Sequence, residues 1–232
     1  MIITQIYSLK NLKSLAIVNL NAISKTNIDI LNNALTRNSP LEHVAITFIV
    51  DQKRGGSTTS IKFPKYLKML KSLTLHGIWH KDFTETLFDM ASQRRLKKLS
   101  LCFVNELPLP NFSEALSKFT ALKHLELSNF SLKKVNLTVL NDFIGQLSSI
   151  KLDRVDLSNE VTKQLFKPKR NMRSLILSHL DINLECLNEC LSTSLLSDVT
   201  LDSLPGLYSY VAMNSVKTLN LINIKLKKEQ DS

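Results

Sequence analysis

Along the chain, apolar residues recur in one pattern, apolar-x-x-apolar-x-apolar-x-x-apolar, starting at Leu12, Leu41, Leu70, Leu96, Leu122, Leu147, Met172, Leu196 and Val216. Successive starts lie 29, 29, 26, 26, 25, 25, 24 and 20 residues apart. Positions one, four, six and nine are apolar in all 36 instances. Of the 45 residues at the other five positions, only Ala16, Val18, Ala45, Phe48, Cys102, Phe103, Ile176 and Ile222 are apolar. A random arrangement of 44% hydrophobic residues does not separate columns this sharply, so the columns occupy different environments. Positions four and six lie two apart and share one face of a short strand, while three, five and seven face the other way. A strand that recurs at this interval returns to its neighbour by a crossover, which makes the sheet parallel. No repeat buries its own leucines; stacking supplies the core. The pattern therefore predicts an α/β solenoid. About nine parallel strands line the concave face of a curved horseshoe, short helices and turns the convex face, in a single domain over residues 1–232.

Most return segments carry helix signals. Thr26-Asn-Ile-Asp29 resembles a capping box ahead of Ile28, Leu31 and Leu35, and Asp82 precedes Leu87, Phe88 and Ala91. Asn111 precedes Leu116 and Phe119, and Asn136 precedes Leu140, Phe143, Ile144 and Leu147. Ser158 opens a turn or two bearing Val161 and Leu165, and Asn183 one bearing Leu184, Leu187 and Leu191. Asn, Asp and Ser suit these starts because their side chains accept from free helix N–H groups. Residues 51–63 depart from the pattern as an irregular, Gly-paired loop insertion, and Pro205-Gly206 predicts a tight turn in the eighth return. Residues 1–11 are too few for a domain of their own or for an F-box, and 227–232 form a polar tail. An open solenoid end calls for a cap, which the Lys-rich tail, further chain or a partner would supply.

The strand segment resembles that of the leucine-rich repeat superfamily, most plainly in Leu147–Leu157 and Met172–Ile182. The repeat lengths are similar to those of the intracellular subclasses, the ribonuclease-inhibitor-like type and the cysteine-containing type found behind F-boxes in ubiquitin-ligase receptors. Those families often carry Asn or Cys at position nine. Here it is Leu20, Ile49, Ile78, Val104, Phe130, Val155, Leu180, Leu204 and Ile224, a hydrophobic ladder in place of a polar one. The resemblance implies a non-enzymatic scaffold for protein–protein interaction, binding on the concave sheet and its rims. A narrower version is the substrate-recognition part of a ubiquitin ligase, with an adaptor subunit as partner.

Composition narrows the compartment. Three cysteines, Cys102, Cys186 and Cys190, make no disulfide framework, and the first ten residues lack the basic, apolar and small-residue regions of a secretory signal. An intracellular, cytoplasmic or nuclear location is expected, and no apolar run approaches the length of a membrane span. The sequons at Asn111, Asn129 and Asn136 are accordingly read as accidental. A net charge of +10 permits an acidic protein, nucleic acid or anionic membrane as partner, of which no membrane partner is expected.

The repeats place that charge. Position two, where each strand begins, reads Lys13, Glu42, Lys71, Lys97, Lys123, Ser148, Arg173, Ser197 and Lys217, and Arg94, Arg95, Lys118, Lys169 and Arg170 lie just upstream of it. Stacked strands would align these as a cationic rim able to dock an acidic protein or a phosphate backbone, or simply to solvate that edge. The absence of interleaved aromatics disfavours single-stranded nucleic acid. The concave positions turn from basic or histidine-bearing (Lys98, His124) through Glu126 and Lys151 to acidic (Asp153, Asp198, Asp202). His76 and His80 fall on different parts of their repeat with no clustered third ligand, so no metal site is expected. Cys186 and Cys190 read as structural thiols. No P-loop, dinucleotide turn, nucleophile elbow or paired-carboxylate signature occurs, and neither a cofactor nor an enzymatic activity is expected.

Overall fold

Each of the nine repeats places a strand where its alternating columns predict one. The structure, a computed structural model, describes residues 11–20, 40–48, 69–78, 95–103, 112–167, 169–205 and 215–224. The strands are β1 (Ser14–Leu20), β2 (His43–Phe48), β3 (Ser72–Ile78), β4 (Lys98–Phe103), β5 (His124–Ser131), β6 (Ser149–Asp156), β7 (Ser174–Ser178), β8 (Asp198–Asp202) and β9 (Thr218–Ile222). They form one parallel sheet in chain order, the α/β solenoid expected from the periodicity. Pairing follows the motif column by column: Leu73 lies beside Leu99, Leu99 beside Leu125, Leu125 beside Ile150, and Ile150 beside Leu175.

Columns four and six build the core. Leu99, Leu101, Leu127, Leu152, Leu177 and Leu201 are at most 1% exposed, and each such side chain contributes about 1.5–3 kcal/mol by leaving water. In β9 the same columns, Leu219 and Leu221, are 44% and 50% exposed. The other side of this core comes from the return segments, which among the described residues contain α1 (Phe112–Ser117), α2 (Leu137–Gly145), α3 (Asn159–Leu165) and α4 (Leu184–Thr193). Three of the expected caps are made. Asn136 Oδ1 accepts from the N–H groups of Thr138 and Val139 at 3.0 and 3.3 Å. Ser158 Oγ accepts from Val161 at 3.2 Å, and Asn183 Oδ1 from Cys186 at 3.1 Å. The helices turn Leu140, Phe143 and Ile144, then Val161 and Leu165, then Leu187, Cys190 and Leu191 into the core. Cys190 is buried as expected, and burial pushes its thiol pKa up; Cys186 is only half-buried. The helices expected after Thr26 and Asp82, the cap at Asn111, the 51–63 insertion, the turn over 206–213 and the tail lie outside the described residues.

The C-terminal, or trailing, edge of the strands holds the main departure from the sequence reading. Position eight sits in the left-handed region in six repeats: Gly77 (φ 76°), Asn129 (53°), Arg154 (50°), His179 (52°), Ser203 (51°) and Asn223 (52°). Glycine adopts this conformation freely and Asn tolerates it, whereas a bulkier residue is strained there. The second and fourth repeats have phenylalanine at this position, and they skip the left-handed step. Phe48 pairs with Leu20 and Phe103 with Ile78, each one position short of the motif. Both rings are buried. Phe48 and Phe103 thus join the buried ladder at position eight, where an extended backbone seats the ring inward without strain; Ile49 and Val104, expected there from the sequence, lie outside the described residues. The ladder itself is present: Phe130, Val155, Leu180 and Leu204 are at most 4% exposed. Phe130 stacks between Phe103 and Phe112, with ring centroids 5.1 and 4.5 Å apart, the tilted geometry aromatic pairs prefer.

Candidate functional site on the open sheet face

The sheet has one face committed to the core and one left open, and the open face meets the strand N-termini along a leading edge. That edge is pinned by the backbone. At all eight junctions between neighbouring strands, the position-two carbonyl accepts from the position-two and position-three N–H groups of the next repeat at 2.7–3.1 Å. The row runs Lys13, Glu42, Lys71, Lys97, Lys123, Ser148, Arg173, Ser197, Lys217, so the rim expected from the sequence is a true alignment.

Its charge is less available than a residue count implies. Lys71 Nζ lies 2.6 Å from Glu42 Oε2, and that hydrogen bond holds the Glu42 carboxyl below its usual pKa. Lys123 Nζ donates to the Gln146 carbonyl at 3.1 Å and Arg173 to the Leu195 carbonyl at 3.1 Å. These carbonyls end return segments, and a cation there satisfies an orphan acceptor. Lys169 Nζ donates to Asn141 Oδ1, and burial lowers its pKa. Arg95 Nη1 lies 3.1 Å from Met69 Sδ. Lys97 and Arg170 stand exposed, with no partner among the described residues; Arg94 lies outside them. Among the described residues, Lys97 and Arg170 thus stand without a partner, while Lys71, Lys123, Lys169 and Arg173 each bond within the chain.

On the open face the expected residues converge across β4–β7. Glu126 is central. Its Oε1 lies 2.6 Å from Lys151 Nζ, and its Oε2 accepts from Ser100 Oγ at 2.9 Å. Partial burial pushes the Glu126 pKa up, but the bonds from Lys151 and Ser100, with the Lys98 charge, outweigh it and hold the carboxyl below its ordinary value. Ser100 belongs to an open-face column yet is only 1% exposed, covered where Glu126 leans over it. Asp153 gathers contacts from three repeats: Ser128 Oγ at 3.0 Å, Arg154 Nη1 at 3.4 Å and His179 Nδ1 at 2.9 Å. The sequence reading did not single out Ser100, Ser128, Arg154 or His179. The left-handed backbone at Arg154 and His179 brings position eight round to the open face, and a repeat alignment shows the column but not that turn. Asp202 accepts from Ser203 Oγ and Asn223 Nδ2 at 2.9 and 3.1 Å. Asp198 stays exposed, and hydrogen bonds from Ser197 and Thr218 lower its pKa.

Two depressions follow from this arrangement. One of about 410 Å³ is lined by Lys98, His124, Glu126, Ser149, Lys151 and Ile176 over the backbone of Leu99 and Leu125. A smaller one of about 200 Å³ lies beside it toward the trailing edge, between His76, Cys102, Ser128 and Asp153. Among the described residues no group of three or more His, Cys, Asp or Glu side chains is placed to hold a metal ion. No helix among them is long and apolar enough to cross a membrane. Asn129 donates from Nδ2 to the Phe103 carbonyl at 3.1 Å and Asn136 caps α2, so both sequon asparagines are engaged in structure; Asn111 lies outside the described residues.

No family model matches the sequence, and no curated protein does. Solved structures do match. InlP of Listeria monocytogenes superposes with a TM-score of 0.53 at 16% identity, over 92% of this chain and 56% of its own. Internalin C2 of the same organism gives 0.45 at 14% identity, over 93% of this chain and 83% of its own. This chain thus spans little more than half the length of InlP. At such identity the likeness is one of fold, and with the nine-stranded parallel sheet it identifies the architecture as a leucine-rich repeat solenoid.

Proposed function

We propose that this solenoid is a non-enzymatic scaffold that binds another protein on its open sheet face, centred on β4–β6. The observation that supports this reading is the convergence of Lys98, His124, Glu126 and Lys151 around one depression. Residues from three repeats, close to one another only because the strands stack, there leave charged and polar groups open to a partner. We further propose an intracellular location, a reading supported by three cysteines that form no bridge, since thiols stay reduced there. The leading rim supports nucleic-acid binding less well, since Lys71, Lys123 and Arg173 are engaged within the chain. The ubiquitin-ligase reading gains no support of its own from the geometry.

Affinity capture from a native lysate tests the proposal. The chain should retain a saturable protein partner that is lost on Glu126→Lys combined with Lys98→Glu. Capture that survives these changes, or that is lost equally on charge reversal of the exposed Lys163 on α3, would count against binding by the open face.

A further inference from the structure

The charge around the larger depression is lopsided in a way that describes its partner. Residues 95–98 and 118–124, which lead into β4 and β5, carry Arg95, Lys97, Lys98, Lys118, Lys123 and His124 and no carboxylate. The one acid in the depression, Glu126, is already taken by Lys151 at 2.6 Å. Lys98 and His124 pair directly across β4 and β5, and both are exposed. Neighbouring strands lie roughly 5 Å apart, so Lys98 and His124 make a basic corner at the leading end of the groove, with Lys97 exposed on the adjoining edge. Lys97 and Lys98 donate to no other described side chain or carbonyl, in contrast to Lys71, Lys123 and Arg173 on the same edge. Among the described residues, Lys98 contributes its charge to Glu126 without bonding it, and the Lys97 ammonium makes no bond.

From this corner we infer the class of partner: an acidic protein segment that lays one or two carboxylates between Lys97, Lys98 and His124 and runs across the groove toward Ile176. The inference rests on the open-face scaffold reading and deepens it. Two observations favour a short acidic segment over a nucleic acid. Beyond the corner the charges are paired, Glu126 with Lys151 and Asp153 with Arg154, so the face offers no continuous row of free cations for a phosphate backbone crossing the strands. The exposed large hydrophobic residues among those described include no aromatic on which bases would stack. The Glu126–Lys151 pair bounds the corner, so an incoming carboxylate meets net positive charge on one side only. That asymmetry fixes the direction in which an acidic segment would lie.

Fluorescence anisotropy with a labelled decaglutamate peptide, titrated with the whole chain, tests this. Saturable binding should weaken as salt rises, because the charges are exposed and screened. K97E/K98E should weaken it about tenfold, the scale of two reversed surface charges, and K163E on α3 should leave it within about twofold. Absence of saturable binding at low salt, or an equal loss in K163E, would overturn the inference. So would tighter binding of a decathymidylate of matched charge, which would point to nucleic acid instead. If decaglutamate fails while lysate capture still depends on Glu126 and Lys98, the acidic-segment inference falls and the scaffold reading stands. If capture fails as well, both fall.

Discussion

The two edges of the sheet are built by different means. On the leading edge, every junction is made by backbone groups, with the position-two carbonyl accepting two N–H groups from the next repeat whether its side chain is Lys, Glu, Ser or Arg. These backbone bonds leave side-chain identity open, except where Lys71, Lys123 and Arg173 also bond within the chain. On the trailing edge, position eight turns left-handed and position nine drops into the core, so the residue type decides the path of the backbone. Where position eight is Asn, Gly, His, Ser or Arg the bulge forms; where it is Phe the bulge is skipped and the ring takes the core site one residue early. The difference separates stability from charge. The trailing edge is where packing fixes the fold, and the leading edge is where charge can be placed for a partner at little cost to it.

The largest expected effect lies on the trailing edge. Phe130→Ala removes a fully buried ring from between Phe103 and Phe112, and should lower unfolding free energy by about 3–5 kcal/mol in denaturant titration. A loss below about 1 kcal/mol would mean the ladder is not a core element. The bulge comes next. Asn129→Val places a β-branched residue at φ 53° and removes the bond to the Phe103 carbonyl, for an expected loss of about 1–3 kcal/mol. Asn129→Gly keeps the conformation accessible and should lose about 0.5–1 kcal/mol. If the two variants are equally stable, backbone strain does not set the trailing edge.

Acid titration separates the open face from both edges. The Glu126 pKa is held below its ordinary 4.5 in the folded chain, so the unfolded chain binds the proton more readily. The stability it contributes is present above pH 4.5 and is lost as pH falls through the lower folded value. Glu126→Gln should therefore flatten the acid side of the stability profile and leave its shape near neutrality unchanged. An unaltered acid limb would show that the Lys151 and Ser100 contacts do not bias this carboxyl.

Much of this was legible in the sequence because burial imposes a period. Columns four and six alternate with the open face, and an apolar residue in all nine repeats marks them without ambiguity. The caps at Asn136, Ser158 and Asn183 were legible for a local reason, since a capping side chain reaches only two or three residues ahead. The register change at Phe48 and Phe103 was not. An apolar residue stands at both positions eight and nine of those repeats, so either can fill the ladder, and only backbone strain chooses. The row of rim cations was legible from column two, but their partners were not. Lys123 meets the Gln146 carbonyl and Arg173 that of Leu195 more than twenty residues away, in places set by stacking. The gathering of Ser128, Arg154 and His179 on Asp153 was hidden likewise, because two of them come from a column that only the left-handed turn brings to that face.

The separation of stability from charge is tested most directly in one double variant, K97E/K98E, measured for both unfolding and partner capture. Both side chains are exposed on the leading edge, so the unfolding free energy should stay within about 0.5 kcal/mol of the parent chain while capture of the partner from lysate is lost. A variant that unfolds substantially more easily, or one that still captures its partner at full strength, would contradict the account.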